Sequence, residues 1–450
     1  MDIALKFVNL LLSASILYVA YIARRISGTW LTPASIWCVG WFLLTFIPLA
    51  AVPSAPSNPL AILYVLAVSI SFSLPVFSVK WSRIEVATGE RAWAAFDTAF
   101  LRTAFYVFAV ITLIALAIHL SIQGVTLSGL TSNFFETSSS LIVDRYTQST
   151  VENVFAQIAN VFTYITVGLG GLVFPGFRSL AGKTRILLMS MAPALVLMTI
   201  AGAKGTVFLC IALFYAGLLV RRIRAGDNRI LDLKTLLRLF TLFLLLVPFV
   251  TISFLSRGLY QDSAMIDLPA QLYRNFISYS SAHVYAFSDW FSWYIGMDSA
   301  IVYSKEDITG GFYTFMSIFK ALGSTKQVPV GYFDEYYQYS WFLQTNIYTI
   351  FRGLITDFTL FGSIAFMYFL GLIFNMSFVS MLRNARASWS VAFYIVFCGF
   401  VYTSFLISIL VWSSMYPTFL VIGLLLLFNN ERQHLGVQPS PAGAMRSAGA

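Results

Sequence analysis

Apolar runs of about 20 residues, the length a helix needs to cross a bilayer core about 30 Å thick, recur along the chain with mostly short polar interruptions. Windows of that kind fall near residues 3–23, 31–51, 60–79, 103–123, 151–174, 186–202, 205–220, 237–255, 358–381, 389–410 and 413–428. Eleven transmembrane helices in an all-α polytopic membrane protein are therefore predicted. One interruption is far longer than the others, and residues 256–357 are long enough to form a subdomain outside the bilayer. This loop separates spans one to eight (1–255) from spans nine to eleven (358–430), and a tail of residues 431–450 follows. No repeat of fixed period accompanies the pattern.

Orientation follows from Lys and Arg near span ends, which concentrate on the cytoplasmic side. Arg24 and Arg25 come after the first span, and no small-residue cleavage site follows, so the first span reads as a genuine helix with its N-terminus outside, not as a cleavable signal peptide. Alternate loops then hold Arg24 and Arg25; Lys80, Arg83, Arg91 and Arg102; Arg178, Lys183 and Arg185; Arg221, Arg222, Arg224, Arg229, Lys234 and Arg238; Arg383 and Arg386; Arg432 and Arg446. That is 19 of the 28 basic residues, and six of the other nine lie in the long loop, where the rule is weak. The expected topology is N-terminus outside and C-terminus in the cytoplasm.

Only 10% of the 450 residues are charged and 58% are hydrophobic, against about 25% charged in a soluble domain. The net charge of +9 is accounted for by the loop bias, so no nucleic-acid partner is needed to explain it. Cys38, Cys210 and Cys398 stand isolated in apolar segments, which indicates neither a disulfide framework nor a zinc site. The mixed-charge segment 80–102, with Trp81 and Trp93, reads as an amphipathic interfacial helix. The tail, ending GVQPSPAGAMRSAGA, reads as disordered and cytoplasmic.

Polar chemistry gathers in the outer loop. RNFISYSSAHVYAFSDWFSWYIG (Arg274–Gly296) reads as an amphipathic or interface-lying helix pair, and GYFDEYYQYSWFL (Gly331–Leu343) sets four tyrosines beside Asp334 and Glu335. Interfacial aromatic belts explain part of this; rings flanked by carboxylates also suit a sugar, and both readings stand. Four cations fall on the outer face near the bilayer: Lys204 in AGAKGT, Arg257 in SRG, Arg274 and Arg352. A cation costs about 2.5–3.5 kcal/mol at the membrane centre and less near its edge, so the set points to a compensating anion. A diphosphate fits, since arginine forks bind phosphate oxygens in pairs. Candidate bases are His283, the loop's one histidine, with Asp289 six residues on to orient it, and Asp334, Glu335 and Asp357. In QTNIYTIFRGLITDFTLFGS, a helix would set Tyr348, Arg352 and Thr356 on one face. Asp357 would lie about 140° from Arg352. Arg352 is then expected to meet the anion, Asp357 to anchor the segment to a neighbouring span or a cation of the site, and Gly362 to permit close helix approach.

The order AGAKGT before a span, SRG after the next, an aromatic outer loop and then TNIYTIFRGLITDFTLFGSIAFMYFLGL resembles the oligosaccharide repeat unit polymerase family, the Wzy-type O-antigen polymerases. The resemblance covers residues 200–370 and rests chiefly on Asn346, Tyr348, Thr349, Asp357, Phe358 and Gly362. It implies a GT-C-like, metal-independent glycosyltransferase without a cofactor, at the outer face of the bacterial inner membrane. Its donor and acceptor would be undecaprenyl-diphosphate-linked oligosaccharides, the growing glycan passing to an incoming lipid-linked repeat unit in polysaccharide or lipopolysaccharide synthesis. A flippase and a chain-length regulator would be its partners beside membrane lipid. On that reading His283, Asp289 and Arg352 are the catalytic candidates, and Lys204, Arg257, Arg274, Asp334, Glu335, Tyr348 and Asp357 bind substrate. An O-antigen ligase-like transferase and a lipid-linked oligosaccharide transporter remain the alternatives. The span interiors are nearly free of charge, which favours an enzyme over a transporter.

Overall fold

Backbone amides that leave water must be satisfied internally, and an uncharged run meets that demand by closing into an α-helix. The computed structural model describes residues 3–84, 86, 95–147, 151, 153–230, 232–256, 268–329 and 331–437, and these are mostly helical. Helices α1 (Ile3–Ser27), α2 (Pro33–Ala51), α3 (Pro59–Ser73) and α4 (Ala99–Ile122) are followed by two short helices, α5 (Leu127–Ser132) and α6 (Phe134–Tyr146). Then come α7 (Val154–Val173), α8 (Leu180–Ala201), α9 (Lys204–Arg224), α10 (Leu233–Phe254), α11 (Leu268–Tyr294) and the single turn-and-a-half α12 (Met316–Ala321). A two-stranded antiparallel hairpin, β1 (Tyr337–Tyr339) and β2 (Leu343–Thr345), precedes α13 (Thr349–Arg383), α14 (Ser388–Thr403) and α15 (Met415–Val437).

Among the described residues nine helices are long and apolar enough to cross a membrane: α1–α4, α7–α10 and α13. The chain is a multi-pass helical membrane protein. The tenth predicted window is cut short: α14 is apolar but ends at Thr403, where Leu406 and Ile407 both donate back to the Thr403 carbonyl and turn the chain. α15 occupies the place of the eleventh window and runs on to Val437. The first residues of the expected disordered tail are thus helical, and 438–450 lie outside the described residues.

Local rules place the helix starts. Pro33 and Pro59 open α2 and α3, where a missing N–H costs nothing, and Thr32 and Asn58 cap them by accepting from the Ser35 and Leu60 amides. Gly202, with φ 65°, closes α8 and lets α9 begin two residues later. Of the predicted amphipathic helix at 80–102, residues 81–83 form only a 3-10 turn and 95–98 are not helical, while 85 and 87–94 lie outside the described residues. The predicted helix pair at 274–296 is instead one continuous helix, α11, buried from Ser281 to Ser288.

Helix contact is decided by small residues. A Cβ on Gly171 of α7 would lie 2.1 Å from the Phe214 carbonyl of α9, and one on Gly371 of α13 would lie 2.1 Å from the Phe72 carbonyl of α3. Gly362 was expected to serve this purpose, but its nearest neighbours are Phe358 and Thr359 in its own preceding turn. Crossing polar bonds supplement the packing: Asn9 donates to Ser57, Ser13 pairs with Thr45, and Asn375 accepts from the Ala34 amide at the start of α2. Gly171→Ala is expected to lower stability by about 1–3 kcal/mol through forced separation of backbones. Gly205→Ala meets nothing within 4 Å and serves as the neutral control. Denaturation midpoints of the two variants in detergent check this, and equal midpoints would refute it.

The connections that matter for chemistry meet at one end of the bundle. Tyr339 donates to the Ser54 carbonyl between α2 and α3, and Asn58 bonds Ser288 and Ser292 of α11. The Ile350 amide reaches the Ser404 carbonyl after α14, and Trp412 donates to the Tyr332 hydroxyl.

Candidate functional site

The stretch that carries Arg352 and Asp357 is a separate half-helix. α13 is broken at Thr359 (φ 65°, ψ 176°), and its first residue, Thr349, also has a positive φ of 66°. A β-branched residue in that region is strained, and such strain persists only where surrounding contacts over-determine it. The span is predicted to begin at 358; the apolar helix long enough to cross a membrane runs from Thr349 to Arg383 and contains this break. The segment before it is enclosed: Thr349 to Ile355 and Asp357 are all buried. Tyr348 sits ahead of the helix rather than on one face of it, so its neighbourhood with Arg352 comes from the chain's entry into the helix.

Arg352 is 1% exposed. Its guanidinium carbon lies 3.9 Å from the Phe333 ring centroid, 4.4 Å from Tyr348, 5.4 Å from Tyr303 and 5.6 Å from Trp290. One nitrogen, Nη2, donates to Glu335 Oε2 at 2.9 Å. Nε and Nη1 have no hydrogen-bond partner among the described residues. Each desolvated cation–ring contact is worth about 2 kcal/mol or more, but each buried N–H left unmet costs about 1–3 kcal/mol. Apolar residues in place of a buried ion pair are often as stable or more so. Stability alone therefore does not explain this arginine.

Glu335 lies in an extended stretch where burial alternates: Phe333 and Tyr337 point inward and Asp334 and Tyr336 outward. The adjacent acids consequently separate, Glu335 turning to Arg352 and Asp334 to the surface. Glu335 Oε1 also accepts from the Ser304 amide at 3.2 Å, and Tyr348 donates to the Glu335 carbonyl at 2.9 Å. Asn346 steadies this stretch by donating to the Phe333 carbonyl. Burial pushes the Glu335 carboxyl up, but Arg352 and the backbone donors outweigh it and hold the group below the usual range. A depressed carboxyl stabilises the fold fully above its unfolded pKa, about 4.3, and that contribution fades as pH falls through the lower folded value. Wild type should therefore lose stability relative to Glu335→Gln only below pH about 4.3. Denaturation midpoints of both proteins between pH about 3 and 7 test this, and a constant gap throughout would contradict it.

Asp357 does different work from Arg352, as expected, but its partners are neither a span nor a cation. Its carboxylate accepts from the Tyr313 amide at 2.9 Å, the Thr314 amide at 2.7 Å, the Thr314 hydroxyl at 2.6 Å and the Thr309 hydroxyl. The Thr309 and Gly310 amides donate to the Thr356 and Asp357 carbonyls. Loop 309–314 is thereby sewn onto the end of the half-helix. Beyond it Glu306 accepts from the Tyr313 hydroxyl and from Lys326 at 3.1 Å.

The remaining candidates divide. Asp289 joins the cluster indirectly: it accepts from the Ala300 amide at 2.7 Å and from Tyr303 at 2.8 Å, and Tyr303 meets Tyr348 edge-on. Burial pushes the Asp289 carboxyl up against these donors. His283 is not oriented by Asp289, because six residues leave them about 120° apart around a helix. Its Nε2 is 3.0 Å from the Leu44 carbonyl. Pro48, inside α2, has no N–H to give Leu44; His283 supplies the missing donor, a structural task. Lys204 is buried at the start of α9, with Nζ 3.4 Å from the Ser253 carbonyl and 4.0 Å from the Phe254 ring centroid. Arg274 donates to Gln344 of β2. Arg257 lies outside the described residues.

Sequence reasoning passed over Tyr303, Glu306, Thr309, Tyr313 and Thr314, all in the aperiodic segment 297–325. Its one signal is the polar run SKEDITGG between aromatic stretches. A surface groove lined by Leu180, Thr184, Arg185 and Leu188 lies on the first half of α8, at the opposite end from the Ala201 turn, and takes no part in this cluster. Comparison with known proteins finds no matching family model, and no curated protein or solved structure matches the chain.

Proposed function

We propose that the protein is a glycosyltransferase that moves a growing glycan from undecaprenyl diphosphate onto a lipid-linked repeat unit, at the outer face of a bacterial inner membrane. The observation that carries this reading is Arg352: a buried guanidinium with two unmet nitrogens, held by four rings and Glu335 on a strained half-helix. Such a group suits the diphosphate that leaves when the anomeric bond breaks, since preformed donors in a water-poor site stabilise developing charge. Lys204, Arg257 and Arg274 are the supporting cations of the same proposal. Exposed Tyr273, Tyr336 and Trp341 near β1 and β2 offer ring faces for sugars. The lipid tail needs little recognition, because each buried CH₂ already contributes about 0.8 kcal/mol to partition. The basic loops from Arg24 to Arg446 support placing the N-terminus and this cluster outside and the C-terminus in the cytoplasm.

A second reading has one observation in its favour. Discontinuous helices with buried charges are also how transporters build their sites, and α13 is such a helix. Purified protein in vesicles with lipid-linked repeat units, assayed with and without a lipid A core acceptor, separates the cases. A ladder of glycan lengths is expected; transfer only to a lipid A core acceptor would make it ligase-like, and movement of intact units across the bilayer would make it a transporter.

A further inference from the structure

We propose that Glu335 occupies, in the resting protein, the place of the substrate's phosphate on Arg352, and that the arriving diphosphate displaces it to become the base for the acceptor hydroxyl. This rests on the transferase reading above. The geometry has three parts. Arg352 Nη2 is spent on Glu335 Oε2 at 2.9 Å, while Nε and Nη1, which flank Nη2 on the two bidentate edges of the guanidinium fork, have no partner among the described residues. A phosphate with several oxygens meets more of that fork than one carboxylate oxygen does. The guanidinium cannot move out to a ligand, because its side chain is 2% exposed and four rings surround it. The Glu335 side chain is 16% exposed and lies between the exposed Asp334 and Tyr336, so the acid is the partner that can yield.

The exchange links binding to chemistry. Once the diphosphate holds Arg352, Glu335 loses the cation that stabilised its charge, and a half-buried carboxylate without a cation takes up a proton more readily. The acceptor hydroxyl then gives its proton to Glu335 as its oxygen bonds to the anomeric carbon. The bond from that carbon to the phosphate oxygen breaks, and its electron pair leaves with the lipid diphosphate, whose added charge Arg352 meets. Atoms and charge balance with no further reactant.

The test uses full-length protein in lipid nanodiscs, with inorganic pyrophosphate as the binding probe by calorimetry and lipid-linked repeat units for turnover. Glu335→Gln is expected to bind pyrophosphate at least tenfold tighter than wild type and to make no ladder. Glu335→Asp, with a shorter reach, is expected to bind with intermediate affinity and keep a slow ladder, and it replaces Glu335→Gln if that variant fails to fold. Unchanged pyrophosphate affinity in these variants overturns the displacement, and a wild-type ladder from Glu335→Gln overturns the base. If wild type itself makes no ladder, the transferase reading fails together with the base, while the pyrophosphate measurement still decides the displacement.

Discussion

Asp357→Ala is expected to destabilise the protein by about 3–5 kcal/mol, because it leaves the buried Tyr313 and Thr314 amides without acceptors at about 1–3 kcal/mol each and releases two hydroxyl bonds besides. The carboxylate is 1% exposed and takes four donors from loop 309–314, so water cannot replace it without opening the loop. Asp357→Asn keeps one oxygen as an acceptor but turns an amide N–H toward another donor. About half the alanine loss is expected for it. Thermal unfolding in detergent gives the order wild type, Asn, Ala, and limited proteolysis should cut first within residues 297–325 in both variants. An alanine variant that unfolds with wild type would show that Asp357 does not hold the loop.

Arg352→Ala is expected to reduce polymerisation by about 10²–10³-fold, the loss found when one preformed donor to a developing oxyanion is removed. Arg352→Lys keeps the charge but loses the planar fork and the stack against Phe333 and Tyr348, and should fall between. Stability must be separated from chemistry here, since removing one partner of a buried pair strands the other. The double variant Arg352→Leu, Glu335→Leu removes both charges together and is expected to be within about 1 kcal/mol of wild type or more stable. It should nonetheless be inactive. A ladder from this folded double variant, measured with lipid-linked repeat units, would remove Arg352 from the mechanism.

α1–α4 were legible in the sequence and the cluster around Arg352 was not. Each span's fate depends on its own 20 or so residues, because the bilayer is the same solvent for all of them; an apolar run therefore reports its structure without knowledge of its neighbours. The long apolar helix α13 was legible for that reason, as was the separation of Arg352 from Asp357 by helical geometry. The Pro48 and His283 pairing was not, although both residues stand in plain view, because their partnership spans 239 positions to Leu44 and no periodicity relates them.

The sequence by itself determined a helical membrane protein, the places of most spans, and the concentration of polar chemistry between α10 and α13. Only the tertiary structure decided which of those polar residues share a site. Trp290, Tyr303, Phe333, Glu335 and Tyr348 reach one guanidinium from a helix, two irregular segments and a helix entry. Their convergence depends on many weak contacts satisfied at once, on the Thr309–Thr314 loop gripping Asp357, and on strain at Thr349 and Thr359 that no local propensity would choose.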